Sequence, residues 1–275
     1  MTTADTTLPV IETPLRNGEA GRLCVQRLVG RHCRATLYKG DCLETLATLD
    51  AVQAVITDPP YGMTACEWDT APDLAALWTA LKKLCAGGIV MTAIQPFAAD
   101  LIQSNRAGFK YDLIWRKSNV TGFLNSKNAP LRQHESVLIF GGDVTYNPQM
   151  WKKENARSAQ KTVNANGVYG AIGEGVFRTV ADDAGFPRSV IDCNTAYHER
   201  NAGLHPTQKP EGLMSYLVLT YTNPGDTILD CYMGSGTTGL AAVRHGRNFI
   251  GIERDAAHYK TACDRIAHEL DGALL

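Results

Sequence analysis

From Arg34 onward, short apolar runs of β type alternate with amphipathic helical stretches: ATLYKGD, LETLATLD, AVQAVITD, then a helix starting at Asp73. That alternation commits the chain to an α/β fold with a mainly parallel sheet, because parallel strands need a crossover between them and a helix is the usual one. The helix after Asp73 is well marked. Pro72 and Asp73 supply start signals, Leu74, Leu77, Trp78, Leu81 and Leu84 share one face, and Gly87 with Gly88 is expected to end it. GIVMTAIQ then reads as a strand, PFAADLIQSNRAG as a helix, and YDLIWRK and ESVLIFG as two further strands. At 44% hydrophobic and 20% charged residues, the 275-residue chain can bury a sizeable core, which excludes disordered and fibrous classes.

Two segments fall outside the pattern. Residues 1–33, rich in Thr, Pro and Gly, are expected to form a loosely ordered arm, with the folded domain spanning 34–275. From about 143 to 204 the periodicity lapses into Asn, Gly, Lys and Arg with exposed-type aromatics at Tyr146, Trp151 and Tyr169, which reads as an inserted functional region. Regular patterning returns with EGLMSYLVLTYT, TILD, TTGLAAVRHG and NFIGIE. Net charge is −1, yet Arg106 to Lys161 holds ten basic residues against four acidic ones, so a polyanion would bind in that middle segment. The eight cysteines form no CxxC pair and no cluster with histidine, so neither a metal site nor a redox motif is signalled and a reducing cytoplasm fits best. No apolar run reaches the roughly 18 residues that a membrane span needs, and no secretory leader pattern opens the chain.

Chemistry concentrates in two places. GSGTTG, Gly234 to Gly239, follows the strand TILD and opens a helix; missing side chains at Gly234 and Gly236 would let a ligand approach the backbone at the helix N-terminus. Asp230 ends that strand and Glu253 ends the next one, 23 residues on, where a carboxylate can hold the two hydroxyls of a ribose. GSGTTG also fits the dinucleotide pattern GxGxxG. Only 22 residues follow Glu253, however, so the rest of this sheet must come from the N-terminal half and the halves are permuted relative to an ordinary dinucleotide fold. The spacing and lysine of a phosphate-binding P-loop are absent.

The second place is DPPY, Asp58 to Tyr61, at the end of AVQAVIT. Pro59 forces Asp58 into an extended conformation, and the two prolines remove backbone donors while fixing their own φ. A rigid cluster of acceptors remains, the Asp58 carboxylate and the Pro59 carbonyl, followed by an aromatic ring at Tyr61. Acceptors beside a stacking platform suit a planar substrate bearing an exocyclic amino group.

These residues, with GDCLETL (40–46), QHESVLIF (133–140), HPTQKP (205–210) and DCYMGSGTTG (230–239), make the chain resemble the permuted β group of S-adenosylmethionine-dependent DNA amino-methyltransferases, over about Tyr38 to His268. The resemblance implies a Rossmann-like methyltransferase fold with a target-recognition insertion at about 143–204. It implies S-adenosylmethionine as cofactor, duplex DNA as partner, a homodimer, and a cognate restriction endonuclease encoded elsewhere. Asp58, Pro59, Pro60 and Tyr61 would be the catalytic motif. Asp230, Gly234 and Gly236 would line the methionine part of the cofactor, Glu253 would hold its ribose and Asp41 its adenine amino group. His205, Thr207 and Lys209 belong to the same cofactor set, with Thr207 and Lys209 on the carboxylate. Cys42, Tyr232, Ser235, Thr237, Thr238 and Arg254, beside these motifs, complete it, and no metal is implied. Aspartate at 58 resembles the adenine-N6 subgroup, with cytosine N4 or an inactive DNA-binding relative as alternatives. A base amine in a duplex is paired, so the adenine would flip out onto Tyr61. Lys117, Asn119, Lys127, Arg132, His134, Lys152 and Lys153 would contact DNA, and Trp151 is either a wedge or a packed aromatic.

Overall fold

The computed structural model describes residues 11–12, 24–63, 69–152, 184–194 and 208–272. Two compact units emerge, a main one of Met1–Asn147 with Ser189–Leu275, and a small one of Pro148–Arg188.

In chain order the main unit comprises β1 (Ile11–Glu12), β2 (Cys24–Val29), β3 (Arg34–Lys39), α1 (Cys42–Leu46), β4 (Val52–Thr57), α2 (Leu74–Leu84), β5 (Cys85–Ala93), α3 (Phe97–Ser104), β6 (Phe109–Thr121) and β7 (Arg132–Gly141). In the small unit, β8 (Trp151–Lys152) and β9 (Ala184–Gly185) form an antiparallel pair. The main unit resumes with β10 (Val190–Cys193), α4 (Glu211–Tyr221), β11 (Thr227–Asp230), α5 (Thr237–Arg244), β12 (Asn248–Glu253) and α6 (Ala256–Gly272). Its strands form one mixed sheet in the order β1-β2-β3-β12-β11-β4-β5-β7-β6-β10. The centre, β3 through β12, β11 and β4 to β5, is parallel throughout. This is the α/β sheet that the alternation demanded, with two antiparallel pairings, β5 with β7 and β7 with β6, on one side.

Central strands that are buried on both faces send alternate side chains into two cores. Ile56, Val90, Ile139, Ile228 and Phe249 pack with Leu217 of α4, Leu240 of α5 and Ile266 of α6. Their neighbours Val55, Ile89, Met91, Leu138 and Leu229 pack with Leu46 of α1, Leu77 of α2 and Leu101 of α3. The α2 face is the one its periodicity marks, with Leu77, Trp78, Leu81 and Leu84 buried and the Asp73 side chain accepting from the N–H groups of Ala75 and Ala76 at 2.9 and 3.1 Å.

Three sequence expectations need correction. The arm assigned to 1–33 contains a sheet strand: β2 pairs with β3 along its length, with Val25 and Leu28 buried, so the folded unit begins by Cys24. Gly87 and Gly88 do not end α2, which stops at Leu84, but lie inside β5, where a Cβ on Gly87 would run into the Gln53 carbonyl of β4. The insertion is shorter than 143–204: Asn147 is tied to Thr220 through its N–H at 2.7 Å, and β10 pairs parallel with β6, leaving 148–188 as the separate unit. Sequence missed β10 because VIDC offers only four residues after a long irregular stretch.

Candidate active site

Four neighbouring parallel strands end at one edge of the sheet, and each delivers a carboxylate at or just beyond its C-terminus. Asp41 follows β3, Glu253 closes β12, Asp230 closes β11 and Asp58 follows β4. Ligands of open α/β sheets bind at such an edge. A cavity of about 890 Å³ opens there. The glycine-turn site and the DPPY site, far apart in sequence, thus share a wall: the Thr57 hydroxyl of β4 donates to Asp230 Oδ1 of β11 at 2.7 Å.

On the glycine-turn side, Asp230 is buried and accepts also from the Tyr232 N–H at 3.1 Å. Burial pushes its carboxyl up to about 6, against the pull of its Thr57, Thr238 and Tyr232 partners. Glu253 receives the N–H groups of Gly234 at 3.0 Å and Asp255 at 2.7 Å, which fixes the carboxylate while leaving acceptor capacity on both oxygens. Its pKa is raised by burial, with those N–H groups opposing. Asp41 caps α1, accepting from Leu43 N–H at 2.8 Å and Glu44 N–H at 3.2 Å. Gly234 has φ +51° and open space where a Cβ would sit. Gly236 differs from its expected role. It is not among the cavity-lining residues, and a Cβ there would meet Ala262 of α6 at 2.9 Å, so at φ +81° it serves the α5–α6 packing instead of ligand approach.

On the DPPY side, Asp58 is held on both oxygens. Oδ1 accepts from the hydroxyls of Tyr61, at 2.6 Å, and of Thr92, and Oδ2 lies 2.7 Å from the Lys209 ammonium. Lys209 is expected from the resemblance at a cofactor carboxylate; its ammonium sits between Asp58 and Glu135 Oε2, the latter at 3.4 Å. Burial alone would depress it, but the facing carboxylates hold its pKa well above that of an ordinary lysine. The Tyr61 hydroxyl is driven well above the usual tyrosine range by burial and by the Asp58 charge, and so remains a donor. After the motif, Asp69 gathers the N–H groups of Tyr61, Gly62 and Met63 at 2.8 to 2.9 Å and pins the loop.

The cavity therefore brings together Asp41, Cys42, Asp58, Pro59, Pro60, Tyr61, Lys209, Asp230, Tyr232, Gly234, Ser235, Thr237, Thr238, Glu253 and Arg254. His205, Thr207 and Lys153 lie outside the described residues. Of the described residues expected on DNA, none lines the cavity. Asn119, Lys127, Arg132 and His134 are exposed on β6, on β7 or on the loop between them, and Lys152 is exposed in the small unit. Lys117 is a correction: its ammonium is committed to Glu135 Oε1 at 2.5 Å, with 13% of its side chain exposed, and so is not a free phosphate contact. Trp151 is packed in part, its indole N–H donating to the Phe186 carbonyl at 2.9 Å. Sequence reasoning missed Glu135, Thr92 and Asp69. Glu135 carried a usable signal, since a glutamate inside the apolar strand ESVLIF must find a cation if it is buried; nothing local marked the other two.

Residues 52–264 match the N6/N4 DNA methylase family. The chain is similar to the Type II methyltransferase M2.DpnII of Streptococcus pneumoniae, 51% identical over 71 residues, and spans 26% of that protein's length. It is 26% identical to the Type II methyltransferase M.HinfI of Haemophilus influenzae over 84% of this chain and 68% of that one. The structure of M1.HpyAVI in complex with S-adenosylmethionine superposes with a TM-score of 0.56 at 26% identity, over 84% of this chain and 99% of that one. The cytosine-N4-specific PvuII DNA methyltransferase shares the fold at a TM-score of 0.54 and 17% identity, over 86% of this chain and 93% of that one. With most of its length matched and its carboxylates gathered at one sheet edge, the chain belongs to the N6/N4 family of DNA methylases.

Proposed function

We propose that the protein transfers a methyl group from S-adenosylmethionine to the N6 amine of a flipped-out adenine in duplex DNA, as a permuted β-group enzyme. One observation carries this reading: Asp58 and Pro59 open onto the same cavity as Asp230, Gly234 and Glu253. The donor set fits the cofactor. Carboxylates at Asp41, Asp230 and Glu253 suit a ligand with two positive centres, a ribose diol and an amine, and the open space over Gly234 admits it against the backbone. Asp230 and Gly234 would lie along its methionine part, Glu253 at the ribose and Asp41 at the adenine. When bound, it supplies a methyl group activated by a sulfonium centre.

The chain's own residues do the rest. An exocyclic amine is a poor nucleophile because its lone pair is shared with the ring. Asp58 and the Pro59 carbonyl accept its two hydrogens and favour a pyramidal nitrogen, an electrostatic and orienting task. Tyr61, tied to Asp58 through its hydroxyl and half-buried, offers its ring to the base. The exposed side chains of Asn119, Lys127, Arg132 and His134 supply phosphate or base-edge contacts. The homodimer and the cognate endonuclease remain what the resemblance implies. The test is to incubate the chain with labelled S-adenosylmethionine and unmodified genomic DNA, digest to nucleosides and identify the labelled base. N6-methyladenine is expected. Labelled N4-methylcytosine would overturn the adenine assignment while keeping the chemistry, and absence of label would overturn the activity.

A further inference from the structure

Four charges alternate beneath the DPPY motif: Asp58, Lys209, Glu135, Lys117. The Lys209 ammonium is 2.7 Å from Asp58 Oδ2 and 3.4 Å from Glu135 Oε2, while the Lys117 ammonium is 2.5 Å from Glu135 Oε1. Glu135 is 8% exposed, and its Oε2 atom is fully buried without a hydrogen-bond donor in bonding geometry. A buried carboxylate oxygen left unsatisfied is uncommon and unfavourable. Asp58 has the opposite condition. Its two oxygens already receive Tyr61, Thr92 and Lys209, three donors against roughly four acceptor positions. One carboxylate is well supplied, with its Oδ2 facing the ammonium, the next is short of a donor, and that single ammonium lies between them.

We infer that Glu135 is a positioning residue that takes over the Lys209 ammonium when a base amine arrives at Asp58. The inference rests on the methyl-transfer reading above. Before the base enters, Lys209 neutralises Asp58. As the amine hydrogen approaches Oδ2, the ammonium closes the remaining distance to Glu135 Oε2, satisfying the orphaned oxygen and freeing Asp58 to accept. Two carboxylates and two ammoniums are present before and after, so the net charge of the cluster is unchanged; Asp58, whose side chain is 24% exposed, gives up the ammonium but keeps the Tyr61 and Thr92 hydroxyls and gains the amine, and no covalent bond or proton changes hands. Lys117 holds the other Glu135 oxygen throughout, which keeps the acceptor anionic. Without Glu135, Lys209 would stay on Asp58 and weaken it as an acceptor.

The experiment measures single-turnover methyl transfer from saturating S-adenosylmethionine to unmodified genomic DNA for the full chain, E135Q, K209M and the double variant. For E135Q the rate constant is expected to fall by about tenfold or more, with the KM for DNA and the Kd for S-adenosylmethionine within about threefold of wild type. The double variant is expected to be no slower than the slower single one, because Glu135 acts only through Lys209. A purely structural role would instead lower thermal stability and add to the K209M loss. E135D, which keeps the charge and shortens its reach, carries the same cycle should E135Q fold poorly. An E135Q or E135D rate within about twofold of wild type, or losses that multiply in the double variant, would overturn the inference. Failure of the wild-type chain to methylate any DNA would instead overturn the proposed function.

Discussion

At the scale of single residues, two carboxylates in one cavity are set to opposite tasks by their surroundings. Asp58 meets a cation on Oδ2 and hydroxyls on Oδ1, a set of donors that marks it as an acceptor. Replacing it by alanine removes the amine's partner and is expected to lower methyl transfer by about a thousandfold or more, within the range for losing a preorganised charge interaction. The fold should survive, because Lys209 keeps Glu135, and DNA binding should persist in a gel-shift measurement; a D58A chain that still methylates would refute the assigned role. Among the described residues no cation pairs with Asp230, and burial pushes its carboxyl up to about 6. A raised carboxyl binds its proton more tightly in the folded chain than in the unfolded one. Its contribution to stability therefore declines as pH rises from about 4 to about 6, by up to about 3 kcal/mol, and the full cost stands above that window. A positive ligand would reverse the preference by drawing the ionised form. Affinity for S-adenosylmethionine is thus expected to rise with pH between about 5 and about 7, with a proton released on binding, and to lose this dependence in D230N. Calorimetry in buffers of different ionisation enthalpy reads both, and pH-independent binding by the wild type would remove Asp230 from the cofactor site.

At the scale of elements, the glycine turn between β11 and α5 shows how a motif can be legible while the reason for its parts is not. The strand, the turn and the helix were all readable from TILD, GSGTTG and TTGLAAV, as were Asp58, Asp230 and Glu253 at their strand ends, because each is a local pattern, whereas Asp41 came only from the resemblance. What Gly236 does depends on α6, some 26 residues further on, which a local pattern cannot show. Likewise DPPY announced a rigid acceptor cluster, but its counter-ion comes from Lys209, 151 residues away, and its loop clamp from Asp69. The two glycines give a direct comparison. Gly236→Ala meets both a left-handed φ and the Ala262 Cβ, so it is expected to cost about 2 to 4 kcal/mol of stability in denaturant unfolding. Gly234→Ala has the φ penalty alone, about 1 to 2 kcal/mol, but places its methyl in the cavity wall and is expected to weaken S-adenosylmethionine binding by about tenfold or more. Equal losses of stability and affinity in the two variants would refute this division of labour.

At the scale of the whole molecule, the sheet explains how a site can be assembled from both ends of the chain and still tolerate an insertion. β11 and β12 are inserted between β3 and β4, so the C-terminal segment supplies the middle of the sheet with Asp230, Glu253 and the glycine turn, while the N-terminal segment supplies Asp41 and the DPPY motif. No described residue of the interruption at 148–188 belongs to either core. Both chain ends that flank it are held by the main unit. Asn147 bonds the carbonyls of Thr220 and Thr222 at 2.7 and 3.0 Å, and the Ser189 carbonyl receives the Ile114 N–H at 2.8 Å. Replacing 148–188 by a flexible glycine-serine linker of about a dozen residues should therefore leave the cooperative unfolding transition and S-adenosylmethionine binding close to wild type. If this segment reads the target, as its place between β7 and β10 and its Lys152, Lys153, Arg157 and Lys161 propose, methyl transfer to DNA in the shortened chain falls by about a hundredfold or more. Loss of cofactor binding would show the segment to be part of the catalytic framework after all. Full methylation with unchanged choice of sites would move recognition to the exposed β6–β7 hairpin, where Lys127, Arg132 and His134 would then have to supply it.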